Sequence, residues 1–164
     1  MVQKNQQKFI IGIISDTRGI LRPEAVAALS CAQLILHAGD IVSPYIVENL
    51  ARIAPVVAVR GNCDSMTLEV TAGIHATEAV EAAGKSFYLL HDLDQLDLKP
   101  EAAGFDAVVS GHTHQPGFRS KGRVLYFNPG SAGPRRSGLP VSVGRIVVDH
   151  GKLLPEILEL NVLR

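Results

Sequence analysis

Short apolar runs separated by polar segments are the dominant pattern along this chain. Four of them cover residues 10–15, 34–37, 56–59 and 87–90. Runs of this length, bounded by polar or turn-forming residues, are typical of buried β-strands. Each run is followed within a few residues by a side chain of the kind that binds metal ions. The pattern therefore predicts strands whose ends carry chemistry.

Two segments between the first three runs have the features of helix starts. Pro23 stands where proline is favoured, at the first residue of a helix that we predict to extend to about Ser30. Ser43, followed by proline, predicts a second helix to about Arg52 with Ser43 as its N-cap. This alternation of strands and helices is the signature of a parallel sheet with right-handed crossovers. In such sheets ligands bind beyond the carboxyl ends of the strands.

The second half of the chain is richer in β-like segments. Those within residues 67–92 are separated by Gly73 and by a turn at residues 83–85, and a short helix is expected around residues 100–103. Further strands are predicted at residues 124–128, 141–149 and 152–160, with a hairpin turn at residues 149–151. This half predicts a second, mixed sheet. Because each sheet needs a covered face, two sheets packed together with helices outside is the economical architecture.

Composition excludes several classes of protein. At 164 residues the chain is expected to form one domain, residues 1–164, with a polar and frayed segment at residues 1–8. The 16 basic and 16 acidic residues balance, so no nucleic-acid-binding surface is expected. Two cysteines are too few for a disulfide scaffold, and no secretory or membrane-length apolar segment is evident. We therefore expect a cytoplasmic protein whose function lies in a local site.

Six side chains of metal-ligand type follow five of the predicted strands. They are two carboxylates, one carboxamide and three imidazoles: Asp16, Asp40, Asn62, His91, His112 and His114. This mixture of hard oxygen and borderline nitrogen donors suits Mn, Fe or Zn. One aspartate after a strand can be only a helix cap, but the coincidence at five strand ends favours a metal centre. We expect His112 and His114 to face the same side of an extended backbone.

The motifs that contain these residues resemble, in order, those of the calcineurin-like metallophosphoesterases, and most of all the small prokaryotic phosphodiesterases among them. The motifs are S-D-T-R-G, H-A-G-D, R-G-N-C-D, L-H, G-H-T-H and N-P-G-S, between residues 15 and 131. The resemblance implies an α/β fold, a four-layer sandwich of two mixed β-sheets flanked by helices. It also implies hydrolysis of a small phosphoester substrate, most of all a diester, by water activated at two divalent metal ions.

The resemblance also assigns ligands to the two metal sites. One carboxylate bridges the ions in this family, and Asp40 holds the matching position. Asn62, His91 and His112 would complete the second site, and Asp16 and His114 would belong to the first. Manganese is the metal implied, with zinc, iron or nickel as alternatives. Homo-oligomerisation is left open.

Arg18 departs from the family pattern, in which a histidine at this position completes the first metal site. A guanidinium cannot ligate a metal, and its positive charge repels one, so a weak or empty first site is expected. Arg18 could bind the substrate phosphate bidentately, or swing away while water completes the site. Alternatively the protein is a non-catalytic scaffold or interaction module, as a retromer subunit of this fold mainly is. The purely structural role is an ion pair with Asp16 or Asp40.

Four other features have predicted roles. Cys63 is not expected to be a nucleophile because nothing obvious lowers its pKa. In many larger members of the resembled family a histidine at this position acts near the leaving group, and its absence here favours leaving groups that need little protonation. Cys31 is expected in the core. His37 is expected either to hydrogen-bond beside the site or to be buried for structural reasons. The glycine-rich loop at residues 128–133 either packs behind the metal ligands or offers amides to phosphate.

Overall fold

The computed structural model describes residues 7–163, and this part of the chain contains ten strands, three α-helices and one 3-10 helix. In chain order they are β1 (Phe9–Ile14), α1 (Pro23–Ala28), β2 (Leu34–His37), α2 (Pro44–Leu50), β3 (Val56–Ala58), α3 (Met66–Ala72), β4 (Thr77–Ala82), β5 (Lys85–Leu90), the 3-10 helix (Leu93–Gln95), β6 (Ala107–Val109), β7 (Gly117–Lys121), β8 (Val124–Asn128), β9 (Ser142–Asp149) and β10 (Lys152–Glu159). Residues 1–6 of the segment expected to be frayed lie outside the described residues, and Gln7 and Lys8 are exposed.

The strands form two mixed sheets of five strands each. Their orders are β10-β9-β1-β2-β3 and β4-β5-β6-β8-β7. In the first sheet β1, β2 and β3 are parallel and β9 runs antiparallel to β1. In the second sheet β5, β6 and β8 are parallel, with antiparallel strands β4 and β7 at the edges. Each sheet therefore brings the carboxyl ends of three parallel strands to one edge.

The two sheets face each other across the main apolar core. Ile11 and Ile13 of β1 pack there with Phe87 of β5 and Phe127 of β8, and all four are at most 1% exposed. Successive strand residues point to opposite faces, so Ile14 belongs to a different cluster. It packs on the helical side of the sheet with residues of all three helices.

The outer faces of the two sheets are covered differently. On the first sheet, Ala25 of α1, Leu50 of α2 and Leu68 of α3 pack in the helical cluster. A Cβ at Gly12 would lie 2.7 Å from Leu29, so the glycine allows the end of α1 to approach the sheet closely. On the second sheet the cover comes from residues 93–105, which contain the 3-10 helix and turns. The predicted class, an α/β sandwich of two mixed sheets, is confirmed.

The segment at residues 67–72, expected to be β-like, forms α3, and that prediction is wrong. β-branched residues such as Thr67 and Thr71 favoured a strand, but Leu68 is buried in the helical cluster. Packing of one apolar face outweighs intrinsic propensity here.

Three local predictions also need correction, and one strand was not predicted. The helix expected around residues 100–103 is a series of turns. Strand β7 was not predicted because all its residues are exposed, so no apolar alternation marks it. Cys31 is exposed in the turn after α1, not in the core. Ser43 holds the N-cap position, but its side chain makes no capping hydrogen bond.

The hairpin turn predicted at residues 149–151 is confirmed. It joins β9 to β10, with His150 and Gly151 at positive φ. Among the described residues, no helix combines the length and apolar character that crossing a membrane requires.

Candidate metal centre

The loops after β1 and β2 continue the parallel pairing of their strands. The amide of Asp16 donates to the carbonyl of Gly39 at 2.9 Å, and the amide of Arg18 donates to the carbonyl of Asp40 at 2.9 Å. These bonds hold Asp16 and Asp40 next to each other beyond the strand ends. The first sheet therefore delivers both carboxylates to one point.

The second sheet delivers the histidines to the same point. His91 follows β5, and the amide of Gly111, which follows β6, donates to the His91 carbonyl at 2.9 Å. Two bonds join the sheets at their edges: the amide of His112 donates to Oδ2 of Asp16 at 3.2 Å, and Nδ1 of His91 lies 2.7 Å from the carbonyl of Ala38. The site thus lies where the carboxyl ends of both parallel strand sets meet.

Left-handed backbone conformations are concentrated in these loops. Eight non-glycine residues of the described chain have positive φ, and five of them are predicted site residues: Asp16, Arg18, Asp40, His112 and His114. Such conformations are unfavourable for side chains with a Cβ and cluster at functional sites. The extended backbone expected at His112 and His114 is wrong, because φ is 69° and 60° there. His112 faces Asn62, while His114 is buried against Asp16.

Four predicted ligands of the second metal site converge. Nε2 of His91 lies 3.1 Å from Oδ1 of Asn62 and 3.4 Å from Oδ1 of Asp40. Nδ1 of His112 lies 3.1 Å from the same Asn62 oxygen. The carbonyl of Ala38 can only accept, so Nδ1 of His91 donates to it, and in the neutral ring that binds metals Nε2 then turns a lone pair towards the two oxygens.

This convergence of acceptors fits a cation. A lone pair facing two acceptor oxygens is unfavourable unless a positive charge lies between them. Ligand atoms that surround one ion at about 2.0–2.2 Å stand roughly 3–3.5 Å apart, as these do. Ligand atoms from Asp16, Asp40 and His91, one from each, also lie within 4.8 Å of one another, so Asp16 of the predicted first site stands close to this position as well. The donor set of the second site therefore fits a divalent metal ion.

Asp40 is held ionised at the centre of this group. Burial by itself would raise its pKa, but the backbone hydrogen bond from Cys63, the neighbouring His91 and the contact with Arg18 lower the pKa below its usual value. The Cys63 amide donates to Oδ1 at 2.9 Å. The nearby Asp40 in turn raises the pKa of the Cys63 thiol, which agrees with the prediction that Cys63 is not a nucleophile.

The predicted first site has fewer available donors. Oδ2 of Asp16 already accepts from the Ser15 hydroxyl at 2.7 Å and from the His112 amide. Oδ1 of Asp16 lies 3.1 Å from Nε2 of His114, but the geometry is not that of a hydrogen bond. Within the described chain both atoms are buried without a hydrogen-bond partner. Burial lowers the pKa of His114, although the neighbouring Asp16 opposes the shift, and this favours the neutral ring.

Arg18 occupies the neighbourhood of this first site. Its Nη2 donates to Oδ2 of Asp40 at 3.0 Å, and the side chain of Asp40 is fully buried while that of Arg18 is 28% exposed. The structural role considered for Arg18, an ion pair with Asp40, is therefore present. Nε of Arg18 is buried and has no hydrogen-bond partner among residues 7–163.

Sequence reasoning gave no role to Asp64, which holds the site loops together. Its Oδ1 accepts from the amides of Ile41 at 2.8 Å and Val42 at 2.6 Å, and its Oδ2 accepts from the Gly61 amide at 2.7 Å. Its position two residues after Asn62 was the sequence signal that could have identified it as part of the site. Asp92 was also missed, and its Oδ2 lies 3.9 Å from Nε2 of His112.

His37 and the glycine-rich loop contact the loops that carry Asp16 and Asp40. His37 is fully buried between the Thr17 hydroxyl, 3.0 Å from its Nε2, and the Gly39 amide, which donates to its Nδ1 at 3.2 Å. Desolvation lowers the pKa of His37 to about 3. The glycine-rich loop packs behind the site, because a Cβ at Gly133 would overlap the carbonyl of Thr17.

Two open cavities flank His112 and Asp92. One, of about 410 Å³, extends over Gly111, Phe118 and Asn128. The other, of about 500 Å³, extends past Asn62 and His91 towards Arg60 and Gln95. The second cavity therefore reaches the acceptor cluster at Asn62 and His91, and the first reaches its rim at His112. Phe118, which is half exposed, lies parallel to Phe127 with ring centroids 6.0 Å apart and gives the first cavity an aromatic wall.

Comparison with known proteins agrees with this fold. A family model described as the calcineurin-like phosphoesterase superfamily domain matches residues 9–151. A relative from Methanothermobacter thermautotrophicus, named a probable metallophosphoesterase, is 39% identical over 164 aligned positions, which cover 91% of each chain. A solved structure described as a novel archaeal phosphodiesterase has a TM-score of 0.74 at 24% identity and covers 92% of this chain and 100% of its own. Vacuolar protein sorting 29 from Cryptosporidium parvum has a TM-score of 0.72 at 21% identity, with 93% and 98% covered. The chain belongs to the calcineurin-like phosphoesterase superfamily.

Proposed function

We propose that this protein is a metal-dependent phosphodiesterase that hydrolyses a small phosphodiester. The observation that carries the proposal is the acceptor cluster of Asp40, Asn62 and His91, which opens through Asn62 and His91 to a cavity of about 500 Å³. Membership of a phosphoesterase family supports the reaction class. The chain is proposed to act as one domain, with no nucleic acid as substrate.

Each ligand has a proposed task. Asp40, Asn62, His91 and His112 would hold a divalent ion, with manganese as the proposed metal because the donors are mixed oxygen and nitrogen. When bound, such an ion polarises the phosphoryl group and lowers the pKa of a water molecule. The neutral carboxamide of Asn62 leaves the positive charge of the ion available to the phosphate. The Ala38 carbonyl orients the His91 ring by accepting from its Nδ1.

Arg18 is proposed to bind the phosphate. Its guanidinium has five N–H donors in a planar fork that matches two phosphate oxygens. One of its nitrogens contacts Asp40, and the side chain is partly exposed. Asp40 therefore anchors the guanidinium beside the acceptor cluster, where it can also reach a substrate.

The preference for a diester follows from the two cavities. A phosphodiester carries two organic groups, and His112 lines two separate cavities of about 410 and 500 Å³. One group would contact the aromatic wall at Phe118. The other would lie near Arg60 and Gln95.

The proposal can be tested with bis(p-nitrophenyl) phosphate and added Mn²⁺. His112→Ala is expected to lower the rate at least a hundredfold or so, since losing even a residue that supports a metal ligand costs about 10–100-fold. The variant should remain folded because the His112 side chain is 41% exposed. His150→Ala, which removes an exposed histidine on the β9–β10 turn, is the matched control.

The result also decides between the two candidate functions. Equal rates for the parent and the His112 variant would contradict the proposal. The alternative, a non-catalytic interaction module with a degenerate site, is favoured by the Arg18–Asp40 ion pair. A parent protein that binds no metal and hydrolyses no diester would support that alternative.

A further inference from the structure

Arg18 and Asp40 bear on how many metal ions the centre can hold. A bridging carboxylate needs one oxygen for each ion. Oδ1 of Asp40 faces His91, whereas Oδ2 is bonded to the Arg18 guanidinium at 3.0 Å. The Arg18 guanidinium therefore occupies Oδ2 of Asp40, the oxygen that a first ion would use.

The donors left for a first ion are too few. Oδ2 of Asp16 accepts two hydrogen bonds, so only its Oδ1 and one nitrogen of His114 remain. Two donors beside a guanidinium make a poor cation site. The family's first ion does not fit these residues.

We propose that the centre holds a single divalent ion, bound by Asp40, Asn62, His91 and His112, and that the Arg18 guanidinium takes the place of the second ion. This inference rests on the proposed function, and it replaces the pair of metal ions implied by the family with one metal ion and one guanidinium. One divalent ion neutralises the carboxylates of Asp16 and Asp40, and Arg18 adds the positive charge that a phosphate requires.

The unpartnered Nε of Arg18 supports this arrangement. It is buried without a hydrogen bond in the described part of the chain. Its N–H is a donor that a cation cannot satisfy, whereas a water molecule or a phosphate oxygen can accept from it.

The test is the metal stoichiometry of the purified protein, measured after removal of bound metal. Parent, Arg18→His and Arg18→Ala are titrated with Mn²⁺ by calorimetry, and each saturated sample is examined by electron paramagnetic resonance. The parent is expected to bind one ion per chain with the hyperfine pattern of an isolated Mn²⁺. Arg18→His, which restores an imidazole and removes the charge, is expected to bind two ions with an exchange-coupled spectrum. Arg18→Ala supplies no ligand and should bind a second ion at least about tenfold more weakly than Arg18→His.

Two further variants locate the single ion. Asn62→Ala should weaken the first equivalent of Mn²⁺ about tenfold or more, and His114→Gln should leave it unchanged. If His114→Gln weakens the first equivalent of Mn²⁺ and Asn62→Ala does not, the ion lies beside Asp16 and the inference is overturned. If a variant fails to fold, the stoichiometry of the parent still decides.

The outcomes separate this inference from the proposed function. Two exchange-coupled ions in the parent would overturn the inference, and diester hydrolysis would then leave the proposed function standing. One isolated ion without hydrolysis of any diester would support the inference and remove the proposed function. A parent that binds no Mn²⁺ would overturn both.

Discussion

The buried His37 makes the stability of the metal-free protein depend on pH. Its ring is fully buried between the Thr17 hydroxyl and the Gly39 amide. Desolvation, with a smaller effect of His91, lowers its pKa from 6.5 to about 3, and Asp40 opposes the shift. Because the folded-state pKa lies below the unfolded one, the unfolded chain takes up the proton first. Stability is therefore complete above pH 6.5 and falls as the pH drops towards 3.

The size of the effect follows from the two pKa values. One pKa unit corresponds to about 1.36 kcal/mol, and pH 5 lies 1.5 units below the unfolded value of 6.5. His37 alone should therefore remove about 2 kcal/mol from the free energy of unfolding between pH 8 and pH 5. Burial also lowers the pKa of His114, so the parent should lose more than this.

The assay is urea unfolding at several pH values between 5 and 8, with EDTA present so that metal release does not contribute. His37→Gln retains an acceptor and a donor in the same place but cannot take up a proton in this range. Its loss of stability between pH 8 and pH 5 should be smaller than that of the parent by about 2 kcal/mol. His150→Gln is the control for removing a solvated imidazole. If the parent and His37→Gln lose the same free energy over this range, the buried neutral ring does not control the pH dependence, and the reasoning fails.

Three further predictions concern the loops and Arg18. Gly133→Ala should destabilise the protein by about 1–3 kcal/mol in denaturant unfolding because its Cβ would overlap the Thr17 carbonyl. Gly117→Ala, where a Cβ meets open space, should have little effect. Equal losses of stability in the two variants would contradict this. Asp64→Asn replaces one of the two oxygens that accept from three backbone amides with an NH2 donor and should cost about 1–3 kcal/mol. Unchanged unfolding would show that these bonds are dispensable. Arg18→Ala should lower kcat/KM for a diester about tenfold or more, and an alanine variant as active as the parent would exclude the phosphate contact.

The ligand-type side chains at the strand ends were predictable because their signals are local. Asp16, Asn62 and His91 follow apolar runs closely, and a short buried run is recognisable from sequence alone. Parallel strands bring their carboxyl ends to one edge, so the order of strands and helices was enough to expect Asp16, Asp40 and Asn62 near each other. The two mixed sheets followed from the same pattern.

The prediction for residues 67–72 failed because local propensity and tertiary packing disagree there. β-branched residues favour a strand, but the segment forms a helix whose Leu68 is buried against the first sheet. Strand β7 was missed for the opposite reason. Its exposed residues carry no apolar alternation, and its pairing with β8 defines it.

The conformation of the site was decided by contacts between residues far apart in the chain. His112 and His114 lie in a turn, so they face different partners, and strand periodicity cannot describe them. The partner of Arg18 could be narrowed by sequence only to Asp16 or Asp40. The paired loops after β1 and β2 bring Arg18 within 3.0 Å of Asp40, 22 residues away. Sequence alone thus determined which ligand-type side chains reach the strand ends, while backbone pairing and burial in the folded chain determined which atoms of those side chains remain available to a metal ion.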